Sequence, residues 1–194
     1  FALFASARRS YVSWLTKLIS QEKSDIYYNF GDYGLGFVAD LGRMGKLIMN
    51  SHFNNDTTRA NILMYNSDGE ITWWNALATL SLETPISNKL SLTNTIYSSL
   101  YENNLNLNIT SSNIHVRSNV QDFGIKSMAR IDLDKIKINS GINYSFRKIL
   151  PQGINALYIN SSQKVFFENC HEVALYTNSE WHVNNHLDID AGLR

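Results

Sequence analysis

Cysteine is almost missing from this chain of 194 residues: Cys170 stands alone, so no internal disulfide framework can staple the fold. Two prolines and ten glycines are too few for a collagen-like or proline-rich linker. Neither sign of charge is in excess, since 17 Lys and Arg meet 17 Asp and Glu, which removes the simplest case for nucleic-acid binding, a function that needs a basic face. Long hydrophobic runs are lacking too. The longest, Phe1–Ala5, falls far short of the roughly 20 residues of a membrane-spanning helix. No basic segment or cleavage site precedes it, so no signal peptide is read here.

What is present is alternation. A hydrophobic content of 44% excludes wholesale disorder, and charged residues make up only 18% of a chain rich in Asn, Ser, Tyr and Trp. Over residues 135–147 one face reads Ile136, Ile138, Ser140, Ile142, Tyr144, Phe146, and the other Lys137, Asn139, Gly141, Asn143, Ser145, Arg147. Leu90, Leu92, Ile96 and Leu100 make a similar face, interrupted by Asn94 and Ser98. So do Trp74, Ala76, Ala78, Leu80 and Leu82, and likewise Phe123, Ile125, Ala129, Ile131 and Leu133. Near the end, Val173, Leu175, Trp181 and Val183 oppose Glu172, Asn178, Glu180 and His182. Period two over such lengths predicts strands, about nine of them, at 1–9, 26–41, 45–54, 70–84, 89–109, 114–133, 135–147, 164–182 and 187–194.

Globular strands average about five or six residues, and several of these are at least twice that. A tilted membrane-spanning strand needs about nine to eleven. The connections alternate in length. Short turns fall at Gly42–Gly45, Pro85–Asn88, near Asp134 and at Asn184–His186. Longer segments fall at Ser10–Asp25, Asn55–Gly69, around Thr110–Asn113 and at Pro151–Gln163. Tyr11, Trp14, Leu15, Leu18 and Ile19 in the first of these have helical spacing, which fits a short helix or equally a frayed strand end. Short and long connections in turn predict an all-β, antiparallel up-and-down transmembrane β-barrel. Both ends fall within strand-like segments, so the expectation is one partial barrel domain over 1–194, internal to a longer polypeptide.

Chemistry-bearing motifs are few. Cys170, His171, His182 and His186 invite a zinc reading, but adjacent Cys170 and His171 point to opposite faces of a strand, and no spacing matches an established ligand set. Exposed or lumen-lining imidazoles are the simpler account. Asp132 with Asp134, and Asp188 with Asp190, could do acid–base work, but solvated lumen groups or turn residues on the polar side of strands explain them without catalysis. No nucleophile elbow, phosphate loop or dinucleotide fingerprint is present, so no enzymatic activity and no cofactor are expected. Tyr27, Tyr28, Trp74, Tyr144 and Trp181 would be core or ligand-stacking residues in a soluble fold, and interfacial girdle residues in a membrane barrel. Lys137, Asn139, Asn143, Glu172, Glu180, Asp188 and Asp190 would then face the lumen. Four N-x-S/T triplets, at Asn55, Asn108, Asn143 and Asn160, arise readily by chance in so Asn-rich a chain.

Three segments resemble the barrel of TonB-dependent outer-membrane receptors, particularly the SusC/RagA-like branch. Ser6–Tyr11 resembles an S-x-R-R-T/S-Y strand end, and Ile71–Ala76 resembles a W-G-N strand start with Trp74 in place of the glycine. Glu172–Trp181 followed by Leu187–Arg194 is similar to the hairpin E-x-A-L-Y-x-x-x-E-W … L-x-L-N-A-G-L-R. The resemblance implies a barrel of about 22 strands around an N-terminal plug, of which this chain supplies part of the wall. It implies uptake of a scarce solute across the outer membrane of a Gram-negative bacterium. The implied partners are outer-membrane lipid, TonB through the missing N-terminal region, and a surface lipoprotein or other complex subunits. A second reading makes the barrel a structural subunit of an export, assembly or surface-lipoprotein complex. A third, a soluble extracellular β module, predicts extraction into buffer without detergent.

Overall fold

In a computed structural model, residues 1–10, 18, 24–62, 67–109, 112–156, 166–184 and 187–194 are described. They form nine strands: β1 (Ala2–Arg9), β2 (Ser24–Asp40), β3 (Lys46–Ile62), β4 (Ser67–Ser87), β5 (Leu90–Ile109), β6 (Ser112–Leu133), β7 (Ile136–Ala156), β8 (Glu168–Asn184) and β9 (Leu187–Leu193). Each is antiparallel to the next, and the nine follow chain order in one sheet. This is part of an all-β, up-and-down barrel wall. The short helix or frayed strand end at Tyr11–Ile19, the Asn160 triplet, and Asn185 and His186 of the last turn lie outside the described residues, apart from Leu18.

The turns at one end are tight. Between β2 and β3, Gly42–Met44 make a single 3-10 turn, and Asp40 Oδ1 accepts a 2.8 Å hydrogen bond from the Gly42 amide. Gly42 has φ +65°, a region that side chains with a Cβ rarely enter. Asp134-Lys135 joins β6 to β7 in two residues. Both prolines sit at breaks in the ladder, where a missing N–H costs least. Pro85 opens the register shift before Ser87, and Pro151 lies in the shift where Asn119 pairs Leu150 but Arg117 pairs Gly153.

At the opposite end the strands run further than the hydrophobic pattern reaches. Asn55–Ile62, expected in a connection, continues β3 and pairs with both β2 and β4. Pro151–Ala156, also expected in a connection, continues β7, and β2 begins at Ser24. Here both faces carry polar residues, so the period-two hydrophobic signal disappears while backbone pairing goes on. β8 begins at Glu168, later than the expected 164.

The sheet is a single layer. Among the described residues Leu150 is the one buried hydrophobic side chain, and no large side chain is fully buried. Ordinary domains cover an apolar sheet face with a second layer.

Candidate functional site

Register decides which residues share a face, because opposite partners in an antiparallel pair project to the same side. Leu35 pairs with Ser51, Ser51 with Ala78, Ala78 with Ser98, Ser98 with Phe123, Phe123 with Phe146 and Phe146 with His171. Extended along each strand, these pairings gather the apolar series of β4 through β8 onto one face. On it the apolar stretch covers nine positions of β4 (Trp74–Leu82) and eleven each of β6 (Phe123–Leu133) and β7 (Ile136–Phe146). That matches the roughly nine to eleven residues needed to cross a hydrocarbon layer at a tilt.

This apolar face is also the more exposed one. Leu175 is 68% exposed, Val173 65%, Phe123 and Ile125 47% and Ile142 46%. The adjacent serines Ser98 and Ser99 compare the faces at equal size: Ser98, on the apolar face, is exposed, and Ser99, on the polar face, is half-buried. On β7, Ser145 of the polar face is only 2% exposed. Side chains crowd on the concave side of a curved sheet and splay on the convex side, so the polar face is the concave one. A water-soluble sheet would be built the other way round.

The apolar face ends at a border. Going from the tight turns toward the long ends, Phe53 gives way to Asn55, Trp74 to Thr72, Leu100 to Glu102, Phe123 to Gln121 and Phe146 to Lys148. Aromatic rings cluster there: Tyr33 stacks on Phe53 at 6.2 Å, Phe53 meets Trp74 at 6.3 Å, and Phe146 meets His171 at 4.9 Å between centroids. The border does not follow one pairing row. The row of Phe53 runs through Ala76 and Leu100 to Gln121 and Lys148, whereas on β6 and β7 the last apolar residues, Phe123 and Phe146, lie one row lower. A level border steps across pairing rows in this way when strands are tilted.

Two pairs of polar groups inside the apolar band satisfy one another. Ser127 Oγ donates to Asn94 Oδ1 at 2.8 Å, and Ser140 and Thr177 share a 2.8 Å hydroxyl pair. On the concave face the polar groups form cross-strand links. Arg147 donates through Nε and Nη2 to Asp122 Oδ2 at 3.2 and 3.0 Å, Asn75 Nδ2 donates to Asn54 Oδ1 at 2.8 Å, and Arg194 donates to Glu172 at 3.2 Å. Three aromatic rings fill the space a side chain would take at the glycines opposite them: Phe4 at Gly36, Tyr97 at Gly124 and Tyr176 at Gly141.

Lys137, Asn139, Asn143, Glu172, Glu180, Asp188 and Asp190 share the polar face of β7 to β9: Lys137 pairs with Glu180, Glu180 with Asp190, and Asn143 with Ala174 beside Glu172. Of the aromatic candidates, Trp74 and Tyr144 lie on the apolar face toward its upper border, and Trp181 lies there between Ile136 and Ile189 near the tight turns. Tyr27 is on that side but six positions beyond Tyr33, opposite Arg59 and above the band. Tyr28 belongs to the other face, as strand alternation requires of its neighbour, so it is no part of an apolar girdle. Its hydroxyl donates to Asp56 Oδ1 at 3.2 Å. Burial, then Asp56 and Asp32, push its pKa above the usual tyrosine value. Cys170 and His171 lie on opposite faces, and His182 Nδ1 is 2.7 Å from Asp188 Oδ1.

Beyond the border the convex side carries a second polar network, which sequence reasoning did not single out. Glu102 accepts from Asn104 at 2.9 Å, Arg117 at 2.6 Å and Asn119 at 3.4 Å. The Asn104 amide leads in holding the Glu102 carboxyl below its usual range; burial opposes, and Arg117 and Asn119 add to the lowering.

Together these features define the wall of a membrane-type β-barrel. No protein-family model matches the chain, and no curated protein matches it. Among solved structures it is similar to the ferric yersiniabactin uptake receptor FyuA from Yersinia pestis, with a TM-score of 0.61, 12% identity, and coverage of 94% of this chain and 33% of that one. It is also similar, with a TM-score of 0.45, 7% identity, and coverage of 98% and 64%, to the translocator domain of the autotransporter NalP from Neisseria meningitidis. The chain thus spans about a third of the uptake receptor's length. The likeness to FyuA extends to the fold and does not single out the SusC/RagA-like branch.

Proposed function

We propose that the chain is part of the wall of a TonB-dependent receptor in the bacterial outer membrane, which admits a scarce solute without transforming it. The observation that carries the reading is the inverted sheet: an apolar convex face of membrane-crossing height, backed by a concave face of paired ions and amides. Lipid tails cover the first and an aqueous lumen wets the second. An uptake receptor's barrel shares this fold, and the Glu172–Arg194 hairpin resembles the receptor family. Lys137, Asn139, Asn143, Glu172, Glu180, Asp188 and Asp190 line the lumen in this reading, with TonB and any surface lipoprotein engaging other parts of the protein.

The test is made on the full-length protein and its gene. Deleting the gene should abolish growth on one limiting solute, and removing only the TonB-contacting segment should have the same effect. A full-length chain with no plug, no solute-dependent phenotype and stable co-purifying subunits overturns the transporter reading and leaves the scaffold.

A further inference from the structure

Above the apolar border, the convex side of β3 to β6 is paved with amides. One pairing row reads Asn61, Asp68, Asn108, Asn113, and the next Arg59, Glu70, Asn106, His115. All of these but His115 line a depression of about 410 Å³, within the range of small-ligand sites. We infer that this depression holds the sugar headgroup of a membrane glycolipid whose acyl chains lie against the apolar band below. The inference rests on the lipid-facing reading of that band and goes beyond it.

Chemistry selects the ligand class. The Arg59 guanidinium is committed to Glu70, Asn108 Nδ2 donates to Asp68 Oδ2 at 2.9 Å, and His115 is bonded to Asn106. With one arginine against two carboxylates, the lining carries no surplus of cations to attract phosphate. Amides and carboxylates side by side on one sheet face instead offer paired donors and acceptors that suit vicinal hydroxyls. Among the described residues the side chains of Asn61 and Asn113 have no hydrogen-bond partner, and both line the depression, Asn113 at an exposed position.

Height selects the source. Glu70 and Asp68 lie four and six positions beyond Trp74 on β4. At ~3.4 Å per residue and a tilt of ~40°, that is roughly 10–16 Å past the hydrocarbon edge. A phospholipid headgroup layer is only about 5–8 Å deep per leaflet, so a multi-sugar headgroup reaches the depression and a phospholipid headgroup does not. The depression and the apolar band are also on one continuous side of the same strands.

The experiment compares three probes on the full-length protein in micelles by native mass spectrometry: lipopolysaccharide with a complete core oligosaccharide, the same lipid cut back to its innermost sugars, and the free core oligosaccharide. The complete glycolipid should be retained at least fivefold better than either of the others. Asn61→Ala with Asn113→Ala should reduce its retention to the level of the cut-back lipid, while the heat-dependent gel mobility of the folded barrel is unchanged. If the double variant misfolds, Asn113→Ala alone, at an exposed position, should show at least a twofold loss. Equal retention of the cut-back lipid, undiminished retention by the folded variants, or free oligosaccharide held as well as the glycolipid each overturns the proposal. Failure of the underlying membrane reading is seen separately, as extraction of the protein into buffer without detergent.

Discussion

Tyr97 on β5 packs its ring against Gly124, its direct partner on β6, so closely that a Cβ at Gly124 would sit 2.2 Å from the ring. The ring thus occupies space that a side chain at position 124 would need. Gly124→Val should force the ring out and cost about 1–3 kcal/mol, the usual range for overpacking. Urea unfolding of the reconstituted barrel would measure it. Tyr97→Ala in the same chain should recover most of the loss, and Gly42→Asn, with open space around a turn that tolerates asparagine, should cost little.

Facing is tested by charge. Ile142→Arg places a cation in the middle of the apolar band of β7 and should cost roughly 2–4 kcal/mol, with less folded protein in the outer-membrane fraction. Asn139→Arg, three positions away and on the concave face, should assemble normally. Equal damage from both would show that the two faces are not differently solvated.

Much of this arrangement was legible in the sequence, and the physical reason is that alternation marks a face only where its two sides meet different solvents. Ile136–Phe146 alternates strictly and its face could be read directly. Asn55–Ile62 carries polar residues on both faces and reads like a loop, although it is strand. The Asp122–Arg147 pair was missed for another reason: no local signal links residues so far apart. It was recoverable all the same, because the two stand at equal distances from the two-residue turn at Asp134-Lys135. The Tyr28 assignment failed on a point the sequence did contain, since neighbours in a strand cannot share a face.

Acid should loosen the region beyond the border. The folded-state pKa of Glu102 lies below the usual glutamate value, so its ionised form is favoured by folding. A depressed carboxylate contributes stability that is complete above the unfolded value and is lost as pH falls through the folded one. Hydrogen exchange of residues 101–104 and 117–119 should therefore speed up as pH drops below about 4.5, after correction for the intrinsic rate. Glu102→Gln should remove most of that pH dependence. An unchanged profile in the variant would assign the effect to other groups.

Asn94 and Ser127 make the sharpest case for lipid as the solvent of the convex face. They oppose each other within the apolar band, and the serine hydroxyl donates to the amide oxygen. In water, losing either partner would matter little, since solvent would replace it. In hydrocarbon the survivor has no replacement, and an orphaned polar group costs about 1–3 kcal/mol. Ser127→Ala should therefore destabilise the barrel, because the Asn94 carbonyl loses its donor. Asn94→Leu removes the costlier amide and replaces it with a chain that lipid solvates well, so it should be neutral or stabilising even though it deletes the same bond. Adding Ser127→Ala to Asn94→Leu should then cost almost nothing, because no carbonyl remains to be orphaned. Urea midpoints of the reconstituted wild type, both single variants and the double variant give the coupling energy. A water-exposed face predicts small, additive changes; a lipid-covered one predicts single changes of unequal size and a strong non-additive term.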